Sequence, residues 1–233
     1  MRGAARTAGG RRSGMKARLI TFEGIEGCGK SAVSNEARLA LERSGVRVIH
    51  VREPGGTAVS ERVRELLLDP ARREMAPLAE LLLYLAARAQ LVAEVIRPAL
   101  EAGRVVVCDR YMDASVAYQG WARGLGERFV ERLNRLVVGE AVPDRTFLLD
   151  APVAVGLARG PLRRERDGVA ARDRLEREDA SFHERVREGY LRLARRNRAR
   201  IVVVDASRPL EEVVRDVLGD LERALSVTLS GRR

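Results

Sequence analysis

Residues Leu19 to Ser31 read LITFEGIEGCGKS, an apolar run that meets a glycine-rich turn and then a lysine. From Gly24 the spacing is G-x-x-x-x-G-K-S, the pattern of a phosphate-cradling loop between a strand and a helix. Each residue type has a physical reason. Glycines leave backbone N–H groups free to approach phosphate oxygens, and Gly29-Lys30-Ser31 opens a helix whose positive end faces the same anion. Lys30 is placed to reach the β- and γ-phosphates of ATP, and the Ser31 hydroxyl to hold Mg²⁺. The expected nucleotide-binding stretch is Gly24, Ile25, Glu26, Gly27, Cys28, Gly29, Lys30 and Ser31. Its context fits: Arg18 to Phe22 has strand character, and Ser31 to Ser44 has helical spacing with Gly45 as its stop.

A chain of 233 residues can bury one full core, and no shift in composition marks a second domain. Met1 to Gly14 is basic, rich in small residues and without periodicity, so it is expected to be a disordered leader before one domain over 15–233. Met15 directly before the first strand allows translation to begin there, and a short transit peptide is a third reading. Lys+Arg total 43 against 33 for Asp+Glu, and Lys16 and Lys30 are the only lysines. The arginines alternate with acids, as in Glu61-Arg62-Val63-Arg64-Glu65, so most belong on solvated helix faces rather than in a nucleic-acid patch. Neither a nucleic-acid nor a membrane partner is expected. Two cysteines, no apolar leader and no apolar run of membrane length point to the cytoplasm.

Further along, Val46 to Val51 follows the loop helix as a second β-branched run, making a strand-helix-strand unit and predicting a parallel α/β sheet. Arg52-Glu53-Pro54-Gly55-Gly56-Thr57 ends that strand, where a second substrate sits in such sheets. Met75 to Glu101 predicts a long helix apolar on more than one face, with Tyr84 and Arg88 on one side and Pro98 in its last turn. Tyr84 and Arg88 suit either a packing pair or a platform for a planar base. Arg104 to Val107 is a third strand ending at Asp109-Arg110-Tyr111. Asp109 then falls where an acid acts on the Mg²⁺ shell, and Arg110 needs an anion. Arg145 to Asp150 and Ile201 to Asp205 complete five strands. Between them, Gly156 to Gly168 is a glycine-flanked arginine cluster suited to a closing lid over about 156–173. Helices are expected from Arg174 to about Arg196 and from Leu210 to Leu225.

Taken together, these motifs resemble the bacterial thymidylate kinases, from Lys16 to about Leu225. The matching residues are Phe22 to Ser31, Arg52 to Thr57, Arg88-Ala89-Gln90, Asp109-Arg110-Tyr111, Ala117 to Gly120, Asp173 to Glu176 and Val204-Asp205-Ala206. The resemblance implies a P-loop kinase fold, transfer of the γ-phosphoryl group of ATP to dTMP, and a homodimer. It implies that Tyr84 stacks on thymine, Arg88 bonds its O4 edge, Ser115 faces N3 and Pro54 packs near the base. Arg110 grips the dTMP phosphate, Tyr118 lies near the sugar, and Gln119, Glu26 and Arg52 complete the substrate contacts. Ala32 stands where the family usually has a second hydroxyl, and Cys28 replaces a small residue.

Phosphoryl transfer between two anions requires positive donors placed in line. Lys30, Mg²⁺ on Ser31 and Asp109, and Arg110 supply three. The family places a further arginine in the P-loop or the lid; Glu26-Gly27-Cys28 contains none, so Arg163, Arg164 or Arg166 is expected to supply it. The Cys28 thiol, at the start of the loop helix, is expected to face the phosphate site and to alkylate faster than Cys108, the alternative being a small side chain that points into the fold. A kinase for another nucleotide and a nucleic-acid-binding or switch protein are the alternatives. A GTPase switch should carry an Asn-Lys-x-Asp guanine reader, and none occurs.

Overall fold

The computed structural model describes residues 18–159 and 173–229. The expected leader, most of the expected lid, and its Arg163, Arg164 and Arg166 lie outside these residues. Five strands, β1 (Leu19–Glu23), β2 (Val48–Arg52), β3 (Val105–Asp109), β4 (Arg145–Asp150) and β5 (Ile201–Asp205), form one parallel sheet in the order β2-β3-β1-β4-β5. This is the expected α/β sheet. Register aligns the strand ends: Phe22 and Arg52 both lie opposite Asp109, and Asp150 lies opposite Asp205. Each apolar strand thus delivers a charged residue to the same edge, outside which α/β sheets bind ligands.

Alternation within the strands feeds two cores. Ile20, Phe22, Val105 and Val107 join the larger cluster, while Leu19, Val106 and Cys108 join the other. Phe22 stacks on Phe147 at 5.3 Å between centroids. The helices are α1 (Lys30–Arg43), α2 (Ala58–Leu68), α3 (Pro77–Leu91), α4 (Arg97–Glu101), α5 (Met112–Ser115), α6 (Glu127–Val138), α7 (residues 153–159), α8 (Ala180–Arg196) and α9 (Leu210–Leu225).

Several boundaries differ from expectation. The run Glu61 to Glu65, read as a helix face, lies in α2, whereas α6 is not among the expected helices. The long helix starts at Pro77 rather than Met75 and passes through a π-helical turn, Val92–Ile96, before α4. That widened turn lies just before Pro98, whose ring would clash with a regular preceding turn. The helix expected from Arg174 starts at Ala180, where Asp179 accepts a 2.7 Å bond from the Phe182 N–H. Arg174 is instead tied back to α2: its N–H donates to Leu68 O and its Nε to Leu67 O. Gly156, expected to open the lid, lies within α7.

Candidate active site

The loop after β1 turns through three glycines with positive φ, Gly24, Gly27 and Gly29. A Cβ at Gly27 would overlap the Gly156 carbonyl, so loop and α7 meet backbone to backbone. Gly29, at φ 93°, is the N-cap of α1 and directs the helix's first N–H groups into the cleft. Lys30 is buried and donates to Ile25 O at 2.6 Å. Ser31 Oγ donates to Asp109 Oδ2 at 2.5 Å, bringing the two expected Mg²⁺-binding groups together.

Cys28 does not stand where the helix-dipole argument puts it. Between Gly27 and Gly29 its side chain turns inward, is 2% exposed and joins the larger core. Its sulfur approaches Lys30 Nζ at 3.6 Å from the protein side. The loop's contribution at Cys28 is therefore its backbone.

Arg110 follows β3 in the left-handed region, φ 65°, with its N–H on Phe22 O. Its Nη1 donates to Gly24 O at 2.9 Å and its Nη2 to Glu26 Oε1 at 2.6 Å; its guanidinium lies 5.2 Å over the Tyr118 ring. Glu26 also accepts from Tyr118 OH at 2.7 Å. Burial works against the Glu26 carboxylate, yet Arg110, His183, Lys30 and Tyr118 together hold it well below the usual range. Behind them Glu23 accepts from the Tyr111 N–H and from Tyr190 OH, each at 2.8 Å, and burial followed by the nearby Asp113 pushes it up to about 8.

One cleft of about 480 Å³ collects most of the expected site. It is lined by Glu26, Gly27, Gly29, Lys30, Ser31, Arg52, Pro54, Tyr84, Asp109, Arg110, Ser115, Tyr118 and Gln119. Gln119 is held by its Nε2, which donates to Glu80 at 2.7 Å. Gly24, Ile25 and Cys28 do not line the cleft, and neither does Arg88. Arg88 is 1% exposed and lies behind the cleft wall, stacked 5.5 Å from the Tyr111 ring. Its Nε and Nη2 fork onto Glu53 Oε2, Nη2 also donates to Tyr111 O, and Nη1 serves Ser115 Oγ and Asn134 Oδ1. Four of its N–H groups are in these hydrogen bonds and Nη2 also lies 2.7 Å from Glu53 Oε2, so Arg88 is bound within the wall rather than lining the cleft where the O4 contact is expected.

Other lining residues were not foreseen. Glu53 is buried with Oε1 unpartnered, and burial raises it to about 7 against the pull of Arg88. Arg64 comes from a charge run that reads as solvent-facing; it donates to Pro54 O at 2.8 Å, and burial with the neighbouring Arg52 lowers its pKa. Arg159, at the end of α7, donates to Ala206 O at 2.9 Å. The run reads as a helix face, and it is the phase of α2 from its Thr57 N-cap that turns Arg64 toward the cleft.

The loop and Arg110 face one space from two sides, so two phosphate-bearing partners fit end to end, as in a P-loop phosphotransferase. The family model described as thymidylate kinase matches residues 22–217. The chain is 50% identical over 203 residues to the thymidylate kinase of Geobacter sulfurreducens, covering 86% of this chain and 95% of that protein. It is 46% identical over 207 residues to that of Symbiobacterium thermophilum, covering 89% and 94%. The crystal structure of thymidylate kinase from Ehrlichia chaffeensis superposes with a TM-score of 0.68 at 32% identity, covering 88% of this chain and 98% of that one. The chain belongs to the thymidylate kinase family.

Proposed function

We infer that this chain transfers the γ-phosphoryl group of ATP to dTMP, giving dTDP and ADP. The observation that carries this reading is the placement of Lys30 and Arg110 on one cleft beside an aromatic pocket. ATP phosphates lie along Gly24 to Ser31. The dTMP phosphate lies against Arg110, with Arg52 and Arg64 adding positive charge, and the base against Tyr84, Pro54, Ser115 and Gln119. Glu26 and Tyr118, bonded to each other, face the sugar. Ser31 and Asp109 form an oxygen-only pair that suits Mg²⁺ and would hold it at the phosphate loop. When bound, the ion supplies charge neutralisation on the phosphates.

Catalysis here consists of aligning the two anions and neutralising the transferred group, with no covalent intermediate. Lys30 acts on the nucleotide side and Arg110 on the acceptor side. Among Arg163, Arg164 and Arg166, one completes the set, and its loss costs roughly a thousandfold in turnover.

A homodimer and a cytoplasmic location belong to the same reading. Val59 and Leu66 on α2 and Leu78 and Leu82 on α3 leave an apolar face 41–52% exposed, which a second copy would cover. No helix among the described residues is long and apolar enough to cross a membrane, and both cysteines are free. The deciding experiment is a panel of nucleoside monophosphates with ATP and Mg²⁺. ADP release fastest with dTMP is expected; a faster reaction with another monophosphate overturns the assignment.

A further inference from the structure

Glu80 lies on α3, one turn before Tyr84, and is fully buried. Three side chains share its carboxylate. Oε1 accepts from Gln119 Nε2 at 2.7 Å, while Oε2 pairs with Arg174 Nη1 at 2.6 Å and with Arg123 Nη2 at 3.2 Å. Arg123 Nη2 reaches on to Glu178 Oε1 at 2.6 Å, and its guanidinium lies 4.5 Å over the Phe182 ring. The stretch from Asp173 to Glu178 is therefore fastened at both ends through one buried carboxylate, directly at Arg174 and by way of Arg123 at Glu178. Two acids and two arginines balance, which makes so much charge tolerable at this depth.

Arg174 also closes the end of α2. Its N–H and Nε take the carbonyls of Leu68 and Leu67, the last two residues of that helix, which have no partner within it. Its Nη2 is buried without a hydrogen-bond partner, and among the described residues Glu80 is the one carboxylate within ion-pair distance. Glu80 thus supplies the charge compensation that lets Arg174 stay inside. The residues around Arg174 turn the other way: Asp173, Leu175 and Glu176 line the cleft, as does Leu68. The Asp173 carboxylate acts electrostatically on Arg64, Tyr84, Glu26 and Arg110, all on the acceptor side. We propose that the buried Glu80–Arg174 pair is a positioning device for the acceptor substrate: it sets the cleft wall Asp173 to Glu176 against α2 and α3, and neither residue touches substrate itself. This rests on the reading of the Arg110 side as the acceptor side.

Steady-state kinetics of the full chain, with calorimetric binding of dTMP and of ATP, test the pair in Arg174→Met, Glu80→Gln and the Glu80→Gln/Arg174→Met double variant. Methionine keeps an unbranched chain without the charge, and glutamine keeps an acceptor for Gln119 without the charge. Each single change leaves a buried charge short of its partner and lowers the melting temperature, so the measurements are made well below it. Each should raise Kd and KM for dTMP about tenfold or more, the scale of a lost hydrogen bond between charged groups. The ATP values should stay within about twofold and kcat within about threefold. The double variant should bind dTMP no more weakly than the worse single one, since both changes break one pair. A lower melting temperature with unchanged dTMP binding, equal losses for both nucleotides, or additive losses in the double variant would each overturn the proposal. If Glu80→Gln does not fold, the split between the two nucleotides in Arg174→Met and Arg174→Gln decides alone. Should the parent enzyme prefer another monophosphate, the assignment of dTMP falls by itself. The same comparisons are then run with that substrate, and the absence of a split there still overturns the role of the pair.

Discussion

Ser31 and Asp109, 78 residues apart, meet at 2.5 Å where β1 turns into α1 and β3 ends. Neither group alone distinguishes a cation site from an ordinary cap or strand end, but an adjacent hydroxyl and carboxylate at the phosphate loop do. Asp109→Asn keeps the shape and removes the charge. The Mg²⁺ concentration for half-maximal rate, titrated at saturating ATP and dTMP, should rise about tenfold or more. An unchanged midpoint would remove Asp109 from the cation site.

Arg110 presents a test of geometry rather than charge. Its two terminal nitrogens reach Gly24 O and Glu26 in different directions, which a lysine's single ammonium cannot reproduce. Arg110→Lys should therefore lower kcat/KM for dTMP by about a thousandfold, with KM for ATP little changed. Near-normal kinetics in the lysine variant would show that only a positive charge is needed there.

The buried acids set opposite limits on stability with pH. Glu23 and Glu53 have an ordinary value of 4.5 and are raised to about 8 and about 7 in the fold, chiefly by burial. Between 4.5 and those values the folded state holds more protons than the unfolded chain, so stability from these groups is fully present below 4.5 and is lost as pH rises through 7 to 8. Glu26, depressed in the fold by Arg110 and its other partners against the effect of burial, works the other way: its contribution is present above 4.5 and lost as pH falls below it. Thermal unfolding should thus show an optimum in mildly acid solution and a declining melting temperature from about pH 5 to 8. Glu23→Gln, which can still accept from the Tyr111 N–H, should flatten the alkaline decline. An equally steep decline in that variant would assign the effect to other groups.

The apolar face of α2 and α3 gives a prediction about assembly. Leu82 is 52% exposed on α3 and is flanked by exposed Leu78. Leu82→Glu places a charge in the middle of that face, where burying it against a second copy without a partner is costly. Sedimentation at micromolar concentration should show a dimer for the parent chain and a shift toward monomer for the variant. A monomeric parent would rule out the dimer proposed here.

What the sequence makes legible is what depends on contiguous residues. The loop from Gly24 to Ser31 carries its chemistry within eight positions, and Asp109 and Arg110 stand at the end of an apolar run whose parallel partners bring them to β1. Long-range contacts are not encoded in such patterns. The Arg88 side chain can be placed one turn after Tyr84 from spacing alone, but its bonding depends on Glu53, Tyr111, Ser115 and Asn134, which lie 23 to 46 residues away. Spacing therefore identifies the residue and leaves its contacts open. Arg64 shows the same limit, because a half-buried arginine and a solvated one have the same local sequence.

Cys28 is a case where local chemistry points one way and backbone geometry the other. A cysteine beside a helix N-terminus and a lysine is a candidate for reaction only where solvent reaches its sulfur. Gly27 at φ 72° and Gly29 at φ 93° instead turn the residue between them inward, leaving Cys28 2% exposed beneath the loop. Cys108 is wholly buried at the end of β3, where its thiol donates to Arg110 O at 3.0 Å and burial pushes its pKa up. Neither side chain is open to a reagent in the native state, so labelling has to wait for local or global opening. Iodoacetamide should therefore modify both cysteines slowly in the folded enzyme and rapidly in denaturant, followed peptide by peptide by mass. Mg-ATP should slow both further, because a ligand that binds only the folded state lowers the population of open forms. Rapid labelling of Cys28 alone, blocked by nucleotide, would show that the thiol reaches the phosphate site after all.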